Sequence, residues 1–165
     1  MNIVLHEPEI PANTGNIGRT CVVTGSSLHL IKPLGFEINE KTLKRAGLDY
    51  WSKLDVRLYD DYADFMSVNP NANIWYLTTK AEKSYADVSF DSNDFLMFGK
   101  ETAGIPEEIL VENRDRCIRI PMMKEERSLN LSNAVAIVLY EALRQNDFDG
   151  LSDKGELHRL KWPER

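Results

Sequence analysis

The sequence predicts an α/β fold in which helices cover both faces of a mostly parallel sheet. Short apolar runs rich in β-branched and aromatic residues alternate with longer segments of helical periodicity, as in βαβ units. Several of these runs are continuously apolar, which is typical of strands covered on both faces. With 165 residues, 42% of them apolar, the chain has the size of one domain. We expect this domain at residues 1–150 and a loosely ordered C-terminal tail at residues 151–165.

The predicted strands are the apolar runs, and the predicted helices are the periodic segments between and after them. The strands are Asn2–Leu5, Leu28–Ile31, Val56–Leu58, Asn73–Thr78, Asp94–Phe98 and Cys117–Pro121. The helices are Gly15–Gly25, Glu40–Ala46, Asp61–Val68, Pro106–Glu112 and Leu131–Asn146. The fourth helix has a clear beginning, because Pro106 suits the first helical position and Glu107 and Glu108 complement the positive end of the helix dipole. Ser132 is the expected N-cap of the last helix.

The last predicted helix carries apolar residues on two faces. One face follows the usual spacing of three and four residues from Leu131 to Ala142, and the second consists of Ala136, Ile137 and Tyr140. A helix on the surface of one domain needs only one such face. The second face is explained either by another copy of the chain or by burial within the same domain, and periodicity alone leaves both explanations open.

Composition excludes several classes of protein. The chain has 20 Lys plus Arg against 26 Asp plus Glu, a net charge of −6, so a nucleic-acid partner would need a local basic surface. No apolar stretch approaches the ~20 residues of a membrane span, and Met1–Pro8 lacks the features of a secretory signal, which favours a cytoplasmic protein with no membrane partner. Cys21 and Cys117 lie far apart and the histidines have no ligand spacing, so we expect neither a disulfide framework nor a metal site.

The first candidate segment, residues 11–20, follows the first strand and opens a helix. Its glycines and helix N-terminus could bind an anion, and Arg19, one turn into the helix, is expected to point to the same region. The segment lacks the GxGxxG pattern, and Lys32-Pro33 stands where a ribose-binding acid is expected, which argues against a dinucleotide site. An ordinary helix cap with closely packed glycines would explain Asn13 and Gly15 but not Arg19.

The second candidate segment, residues 95–106, begins as a buried strand and ends at the helix that starts with proline. Gly99 and Gly104 would let the backbone approach a flat ligand, or adopt a positive φ, where a side chain would be blocked. All the candidate segments are expected at the carboxyl ends of strands, where open α/β sheets bind their ligands.

The third candidate segment, residues 117–134, runs from a strand through a polar loop into the last helix. Ser128 and Asn130 alternate with leucines there and offer more hydrogen-bonding groups than a helix cap needs. The chain has neither the GxxxxGK[ST] pattern of nucleotide-binding P-loops nor the GxSxG pattern of serine hydrolases, so phosphoryl transfer and serine hydrolysis are not expected.

Together and in this order, the three segments resemble the signature of the SPOUT superfamily of S-adenosylmethionine-dependent RNA methyltransferases. The closest likeness is to its minimal, single-domain tRNA (cytidine/uridine wobble) 2′-O-methyltransferases. The residues that carry it are 13–19 (NTGNIGR), 98–106 (FGKETAGIP), 120–122 (IPM) and 128–134 (SLNLSNA), supported by 6–11 (HEPEIP), 45–50 (RAGLDY) and 77–80 (LTTK). The likeness covers the chain to about Gln145.

The resemblance implies that the C-terminal part of the sheet fold forms a deep trefoil knot with S-adenosylmethionine bound in it. It also implies a homodimer formed through the first and last helices. The residues that it carries over to the cofactor pocket are Leu77, Thr78, Gly99, Glu101, Gly104, Ile120, Ser128 and Leu129. Arg19 is carried over as the catalytic residue, with Asn13, Ser128 and Asn130 lining the reaction side.

The function implied by the resemblance is methyl transfer to the ribose 2′-hydroxyl of the wobble nucleotide in the tRNA anticodon stem-loop. A guanidinium is a poor base, so we expect Arg19 to orient the hydroxyl or a neighbouring phosphate. The basic residues expected to contact the tRNA are Arg45, Lys80, Lys124 and Arg127. The alternatives are a non-catalytic RNA-binding protein of the same fold, methylation of a different RNA position, and a Rossmann domain that binds a small nucleotide.

Overall fold

The computed structural model describes residues 1–37, 50–152 and 154–163, and within them seven strands form one sheet. The strands are β1 (Asn2–His6), β2 (Ser27–Ile31), β3 (Val56–Tyr59), β4 (Ile74–Leu77), β5 (Lys83–Ser84), β6 (Phe95–Phe98) and β7 (Cys117–Arg119). Their order is β3-β2-β1-β6-β4-β7-β5, and all neighbours pair in parallel. The predicted parallel sheet is confirmed. Strand β5 was not predicted, because two residues carry no periodicity.

Four α-helices lie in the described part of the chain. They are α1 (Pro11–Thr24), α2 (Tyr62–Val68), α3 (Glu107–Glu112) and α4 (Leu131–Gln145), with 3₁₀ turns at Trp51–Lys53, Tyr85–Asp87 and Arg114–Arg116. The helix predicted over Glu40–Ala46 lies outside the described residues. Pro106 is the N-cap of α3 and not its first helical residue, which shifts that predicted beginning by one position.

Helix α1 begins four residues earlier than predicted. Pro11 stands in its first turn, where the missing N–H costs nothing and the fixed φ suits a helix, while the N-cap Ile10 makes no side-chain capping bond. The helix ends at Gly25, which adopts the left-handed conformation with φ +65°. Asn13 and Gly15 therefore lie inside the helix and are not its cap.

The sheet has an apolar core on each face. Side chains alternate along β1, so Ile3 and Leu5 pack with α1 and α4 on one face, whereas Val4 packs on the other. Phe65 of α2 and residues of α3 complete the core on Val4's side. This arrangement agrees with the continuously apolar runs from which the strands were predicted.

The strand order brings distant parts of the chain together at one edge of the sheet. β1 pairs with β6, with Leu5 opposite Phe98, and β4 lies between β6 and β7. Because the strands are parallel, the loops that follow β1, β4, β6 and β7 all leave from the same edge. The three candidate segments belong to these loops, as expected.

Helix α4 keeps its second apolar face exposed within one chain. Val135 and Val138 are fully buried, but Ile137 and Tyr140 retain 39% and 45% of their accessible surface. Burial within the same domain therefore does not explain the second face. None of the helices in the described ranges is long and apolar enough to cross a membrane.

The C-terminal tail is anchored to the domain at its first residue, since Leu151 packs against the core beside α1 and α4. The described residues after it form neither helix nor strand. Leu160 and Trp162 in the tail are both exposed.

Candidate functional site

A cavity of about 610 Å³ opens at the carboxyl edge of the sheet, between the loops that follow β4, β6 and β7. Its size lies within the range of small-molecule sites in proteins. Among the residues that line it are Asn13, Leu77, Thr78, Gly99, Glu101, Gly104, Ile120, Ser128, Leu129 and Asn130. The structure thus brings all the predicted cofactor residues to one cavity, together with the three residues predicted to line the reaction side.

The loop after β6 folds back tightly on itself through its two glycines. Gly104 donates a backbone hydrogen bond to the Lys100 carbonyl at 2.8 Å. A Cβ on Gly99 would lie 1.9 Å from the Gly104 carbonyl carbon, so only glycine fits at position 99. Gly104 itself has a φ of +75°, a conformation that glycine adopts without strain. Both glycines therefore determine the shape of the cavity wall, and the positive φ predicted as one possibility is found at Gly104.

Glu101 joins this loop to the beginning of α1. Its carboxylate accepts hydrogen bonds from the backbone N–H groups of Glu9 and Ile10, at 2.8 and 3.2 Å, and from Asn13 Nδ2 at 2.9 Å. The sequence indicated that this helix N-terminus could bind an anion, and the Glu101 carboxylate binds the N–H groups of the N-cap Ile10 and of Glu9 just before it. Here Glu101 is a structural acceptor in the cavity wall, and Asn13 is oriented by it.

A second carboxylate binds in the opposite direction across the same junction. Glu9 accepts hydrogen bonds from the backbone N–H of Thr102 at 3.0 Å and from its hydroxyl at 2.8 Å. Two residues before Glu9, Glu7 pairs with Lys100 at 2.9 Å. The loops 7–9 and 100–102 are therefore held together by reciprocal side-chain contacts, which fix one wall of the cavity relative to α1.

The ionisable groups at this junction are tuned by their neighbours. The hydrogen bond from Lys100 to Glu7 raises the pKa of the Lys100 ammonium group and stabilises its charge. Burial lowers the pKa of the adjacent His6 imidazole, so His6 stays neutral beside the ion pair at neutral pH.

Asn130 connects the third segment to the first. Its Nδ2 donates to Asn13 Oδ1 at 3.0 Å, and its Oδ1 accepts from the backbone N–H groups of Ser132 and Asn133 at 3.0 and 3.3 Å. Asn130 is therefore the N-cap of α4, and the prediction that Ser132 caps this helix is wrong. The error has a physical cause: the helix begins at Leu131, so Ser132 already lies in its first turn. A continuous chain of hydrogen bonds links Glu101, Asn13, Asn130 and the start of α4.

Arg19 lies outside the set of described residues that line the cavity. It belongs to an exposed stripe of α1 with Asn16 and Val23, and its guanidinium carbon lies 5.1 Å from the centre of the Tyr50 ring. The expectation that Arg19 points to the same region as the N-terminus of α1 is therefore wrong within a single chain. Six residues separate it from Asn13, about 600° of helical rotation, which places the two side chains on different faces.

The predicted RNA-contacting residues are dispersed. Arg127 lines the cavity and Lys124 is exposed in the loop before α4. Lys80 is paired with Glu107 at 2.7 Å, and this contact lowers the pKa of the Glu107 carboxyl. Arg45 lies outside the described residues.

Several cavity residues were not predicted. Ile10, Ala134 and Met122 add apolar surface to the lining, and Thr102 adds a polar group. Ile10 carried a usable signal, because it stands immediately before the helix whose beginning faces the site. Ala134 follows Asn130 by one helical turn, so it faces the same side of α4 as the cap.

The cavity suits an adenosine-containing cofactor by the chemistry of its walls. Leu77, Ile120 and Leu129 present apolar surface to a flat base, and the loop 99–104 presents backbone rather than bulky side chains. Among the described residues, no group of three or more His, Cys, Asp or Glu could hold a metal ion.

Comparison with known proteins gives one consistent family. The sequence profile described as the SpoU rRNA methylase family matches residues 1–140. A tRNA (cytidine(34)-2'-O)-methyltransferase of Yersinia pestis is 50% identical over 157 residues, which cover 91% of this chain and 96% of that one. A solved structure described as giving structural insights into the 2-OH methylation of C/U34 on tRNA superposes with a TM-score of 0.82 at 44% identity, covering 88% of this chain and 95% of the other.

A more distant structure is similar in the same region. The AdoMet-bound rRNA methyltransferase from Sinorhizobium meliloti has a TM-score of 0.75 at 25% identity and matches 87% of this chain and 55% of its own. The domain described here is thus found in proteins of different length.

Proposed function

This chain belongs to the SpoU rRNA methylase family, and we propose that it transfers a methyl group from S-adenosylmethionine to the ribose 2′-hydroxyl of the wobble nucleotide of tRNA. The observation that carries the proposal is the convergence of the three motif segments on one cavity, linked by hydrogen bonds from Glu101 through Asn13 to Asn130. The similarity to a tRNA (cytidine(34)-2'-O)-methyltransferase at 50% identity supports position 34 as the target. We propose a cytoplasmic enzyme, since its proposed substrate is tRNA.

S-adenosylmethionine supplies an electrophilic methyl group on a sulfonium, so the protein has to align the acceptor hydroxyl and manage one proton. Leu77, Ile120 and Leu129 form apolar walls for the adenine, and the backbone of the loop 99–104 offers hydrogen-bonding groups at its edge. Gly104 leaves open space where a side chain would stand. Ser128 and Asn130, at the mouth of the same cavity, face the side on which the ribose would approach.

A guanidinium binds phosphate and hydroxyl oxygens through several N–H donors but does not readily accept a proton. In the proposed reaction Arg19 therefore orients the ribose hydroxyl or its neighbouring phosphate. The proton of the 2′-hydroxyl passes to that phosphate or to water when the oxygen accepts the methyl group. This role requires Arg19 to reach a cavity that it does not line within its own chain.

A homodimer resolves this difficulty. The exposed stripe of α1, which includes Val23 at 61% exposure, lies on the helix that packs against α4, whose Ile137 and Tyr140 are also exposed. We propose that a second copy of the chain covers these side chains, and that each active site combines the cavity of one chain with Arg19 of the other. Symmetry then gives two equivalent sites.

Methyl transfer from labelled cofactor to tRNA, followed by mapping of the modified nucleotide, tests the function. We expect a 2′-O-methyl group at nucleotide 34. Arg19→Ala should abolish transfer while the calorimetric affinity for S-adenosylmethionine changes little. A methyl group elsewhere in the RNA would favour the alternative target, and RNA binding without any transfer would favour the non-catalytic alternative.

Subunit mixing tests the shared site. Arg19→Ala retains the cavity, and Gly99→Ala retains Arg19 but has a distorted cavity wall. After the two variants are mixed and their subunits exchange, the mixture should recover up to about a quarter of wild-type activity. About half of the dimers are then mixed, and one of the two sites in each mixed dimer is complete. If mixed dimers form and stay inactive, Arg19 does not act across the interface. Tyr140→Glu should weaken the dimer in light-scattering measurements.

A further inference from the structure

Tyr50 contacts the turn of α1 that carries Arg19, through both its hydroxyl group and its ring. The Tyr50 hydroxyl donates a hydrogen bond to the carbonyl oxygen of Gly15, one helical turn before Arg19. Its ring lies against the Arg19 guanidinium, 5.1 Å from the ring centre to the central carbon. The tyrosine therefore spans the helix surface between residues 15 and 19, with its polar end and its ring face each attached to α1.

A glycine allows the segment that follows Tyr50 to come this close. A Cβ added to Gly18 would lie 3.1 Å from the Trp51 ring and 3.1 Å from a methyl group of Leu54. Leu54 is buried in the core, and Trp51 begins a 3₁₀ turn that packs on α1. Tyr50 thus precedes a segment that is docked on α1 and the core through Trp51 and Leu54, and this docking keeps its ring beside Arg19.

The Arg19 side chain is exposed, and the ion pairs between described residues do not include it. An exposed arginine on a helix samples many rotamers, and ordering its side chain costs conformational entropy. An aromatic face attracts a guanidinium without using its N–H groups. The ring of Tyr50 therefore restricts the Arg19 side chain and leaves its hydrogen-bond donors available to a ligand.

We propose that Tyr50 is a positioning residue that holds the guanidinium of Arg19 ready for the substrate's ribose-phosphate. The proposal rests on the function proposed above, because Tyr50 acts only through Arg19 and contacts neither the cofactor nor the methyl group. A carboxylate partner would fix Arg19 equally well, but it would compete with the substrate's phosphate for the same N–H groups. An aromatic partner avoids this competition.

The test compares Tyr50→Phe, which keeps the ring, with Tyr50→Leu and Tyr50→Met, which lack a ring. Tyr62→Leu is the matched control, because Tyr62 is also half-buried and hydrogen-bonded through its hydroxyl, to Tyr76 on the opposite side of the sheet. For each variant kcat is measured with saturating tRNA and cofactor, together with cofactor affinity. Nitrogen-15 NMR follows the Arg19 Nε–H resonance, which is identified by its absence in Arg19→Ala. The position of this resonance responds to the ring current of a neighbouring aromatic side chain.

Loss of the ring should lower kcat by about 2- to 30-fold, the range that one cation–π contact supports. Cofactor affinity should stay unchanged, Tyr50→Phe and Tyr62→Leu should remain close to wild type, and the Arg19 resonance should move only when the ring is removed. Either ring-free variant suffices if the other does not fold. The proposal is overturned if a folded ring-free variant keeps wild-type kcat, if Tyr50→Phe is equally impaired, or if the Arg19 resonance does not move.

The outcome for Arg19 itself separates the two proposals. Full activity in Arg19→Ala would remove the catalytic assignment on which this inference rests. An inactive Arg19→Ala together with a fully active Tyr50→Leu would leave the proposed function intact and remove only the role of Tyr50.

Discussion

Glu101 and Asn13, which are 88 positions apart in the chain, are joined by a 2.9 Å hydrogen bond between their side chains. The same carboxylate accepts two backbone N–H groups at the beginning of α1. These contacts place the wall of the cavity and the first residues of α1 in one rigid unit. The amides of Asn13 and Asn130 are thereby held at fixed positions relative to the loop 99–104.

Glu101→Gln should destabilise the fold and weaken cofactor binding. The amide replaces one acceptor oxygen by an N–H₂ group that faces N–H donors, and because the site is only partly buried the loss should lie near or below the lower end of the about 1–3 kcal/mol that a buried unpaired donor costs. Chemical denaturation and calorimetry with S-adenosylmethionine measure the two effects. Glu107→Gln is the control, since Glu107 is an exposed acid nearby whose ion pair, among the described residues, is with Lys80. Equal behaviour of the two variants would contradict the role assigned to Glu101.

Asn130→Asp should separate the capping role of this residue from its contact with Asn13. Aspartate keeps the oxygen that caps α4, so thermal stability should stay near that of wild type, whereas Asn130→Ala should lose about 0.5–2 kcal/mol. The aspartate cannot donate to Asn13 Oδ1, which would then face a second oxygen. We therefore expect methyl transfer to fall in both variants. An active Asn130→Asp would show that only the cap matters.

Gly99→Ala should distort the cavity. The added Cβ would overlap the backbone of Gly104 and Ile105, which cannot move as a flexible side chain would, so we expect a loss of stability of about 1–3 kcal/mol and a weaker affinity for the cofactor. Gly155→Ala is the control, because a Cβ there meets no atom within 4 Å. A Gly99→Ala variant with unchanged calorimetric affinity would show that the loop tolerates a different shape.

Acid should destabilise the protein through His29. This side chain is fully buried, with its Nδ1 2.8 Å from the Tyr59 hydroxyl, and burial lowers its pKa to about 4. The unfolded chain therefore binds more protons than the folded chain below the ordinary pKa of 6.5. As the pH falls from about 6.5 to 4, the free energy of unfolding should decrease by about 3 kcal/mol through this group.

Denaturation of wild type and His29→Gln over this pH range measures the effect. The neutral amide should give a shallower pH dependence, even if the variant is less stable at neutral pH. The Glu141 carboxyl, whose pKa is lowered from 4.5 to about 2 by its hydrogen bond from Arg144, loses its contribution between these two pH values, which lie mostly below this range. Parallel curves for the two proteins would assign the acid sensitivity to other groups.

Lys124→Ala and Arg127→Ala should each weaken tRNA binding and reduce its salt dependence. Removing one phosphate contact lowers the slope of log affinity against log salt by about 0.7–0.9. Lys80→Ala should have a smaller effect, because Glu107 already neutralises part of its charge. Arg57→Ala is the control, since Arg57 pairs with Asp55 near the beginning of β3. An unchanged slope would remove the residue concerned from the RNA-binding surface.

Local sequence patterns predicted most of the fold. The apolar runs gave β1, β2, β3, β4, β6 and β7 to within one or two residues, because strands covered on both faces must be apolar throughout. The beginning of α1 was misplaced because the helix has no capping side chain, and Pro11 was the signal that could have located it. The trefoil knot stays a prediction from the resemblance, since periodicity says nothing about how a chain is threaded.

The site was predictable as a set of loops but not as a set of contacts. Gly99 and Gly104 were chosen for their conformational freedom, and the structure places them where that freedom is needed. The contact between Glu101 and the beginning of α1 joins positions about 90 apart, and no local pattern contains it. The position of Arg19 follows from the sequence only when Pro11 is taken as the beginning of α1, because Asn13 then lies inside the helix and the 3.6-residue repeat places Arg19 on a different face.

The central place of β1 in the sheet has a consequence for synthesis. β1 is translated before the other strands and can pair with β2 as soon as β2 has been made. Its other edge pairs with β6, which is made more than 90 residues later, with Asn2 opposite Phe95. A nascent chain therefore carries an open strand edge until the middle of the protein has emerged from the ribosome. Strand pairings between residues this far apart in sequence form slowly. We therefore expect the protein to be most prone to aggregation while it is being synthesised and folded, before β6 covers the open edge of β1.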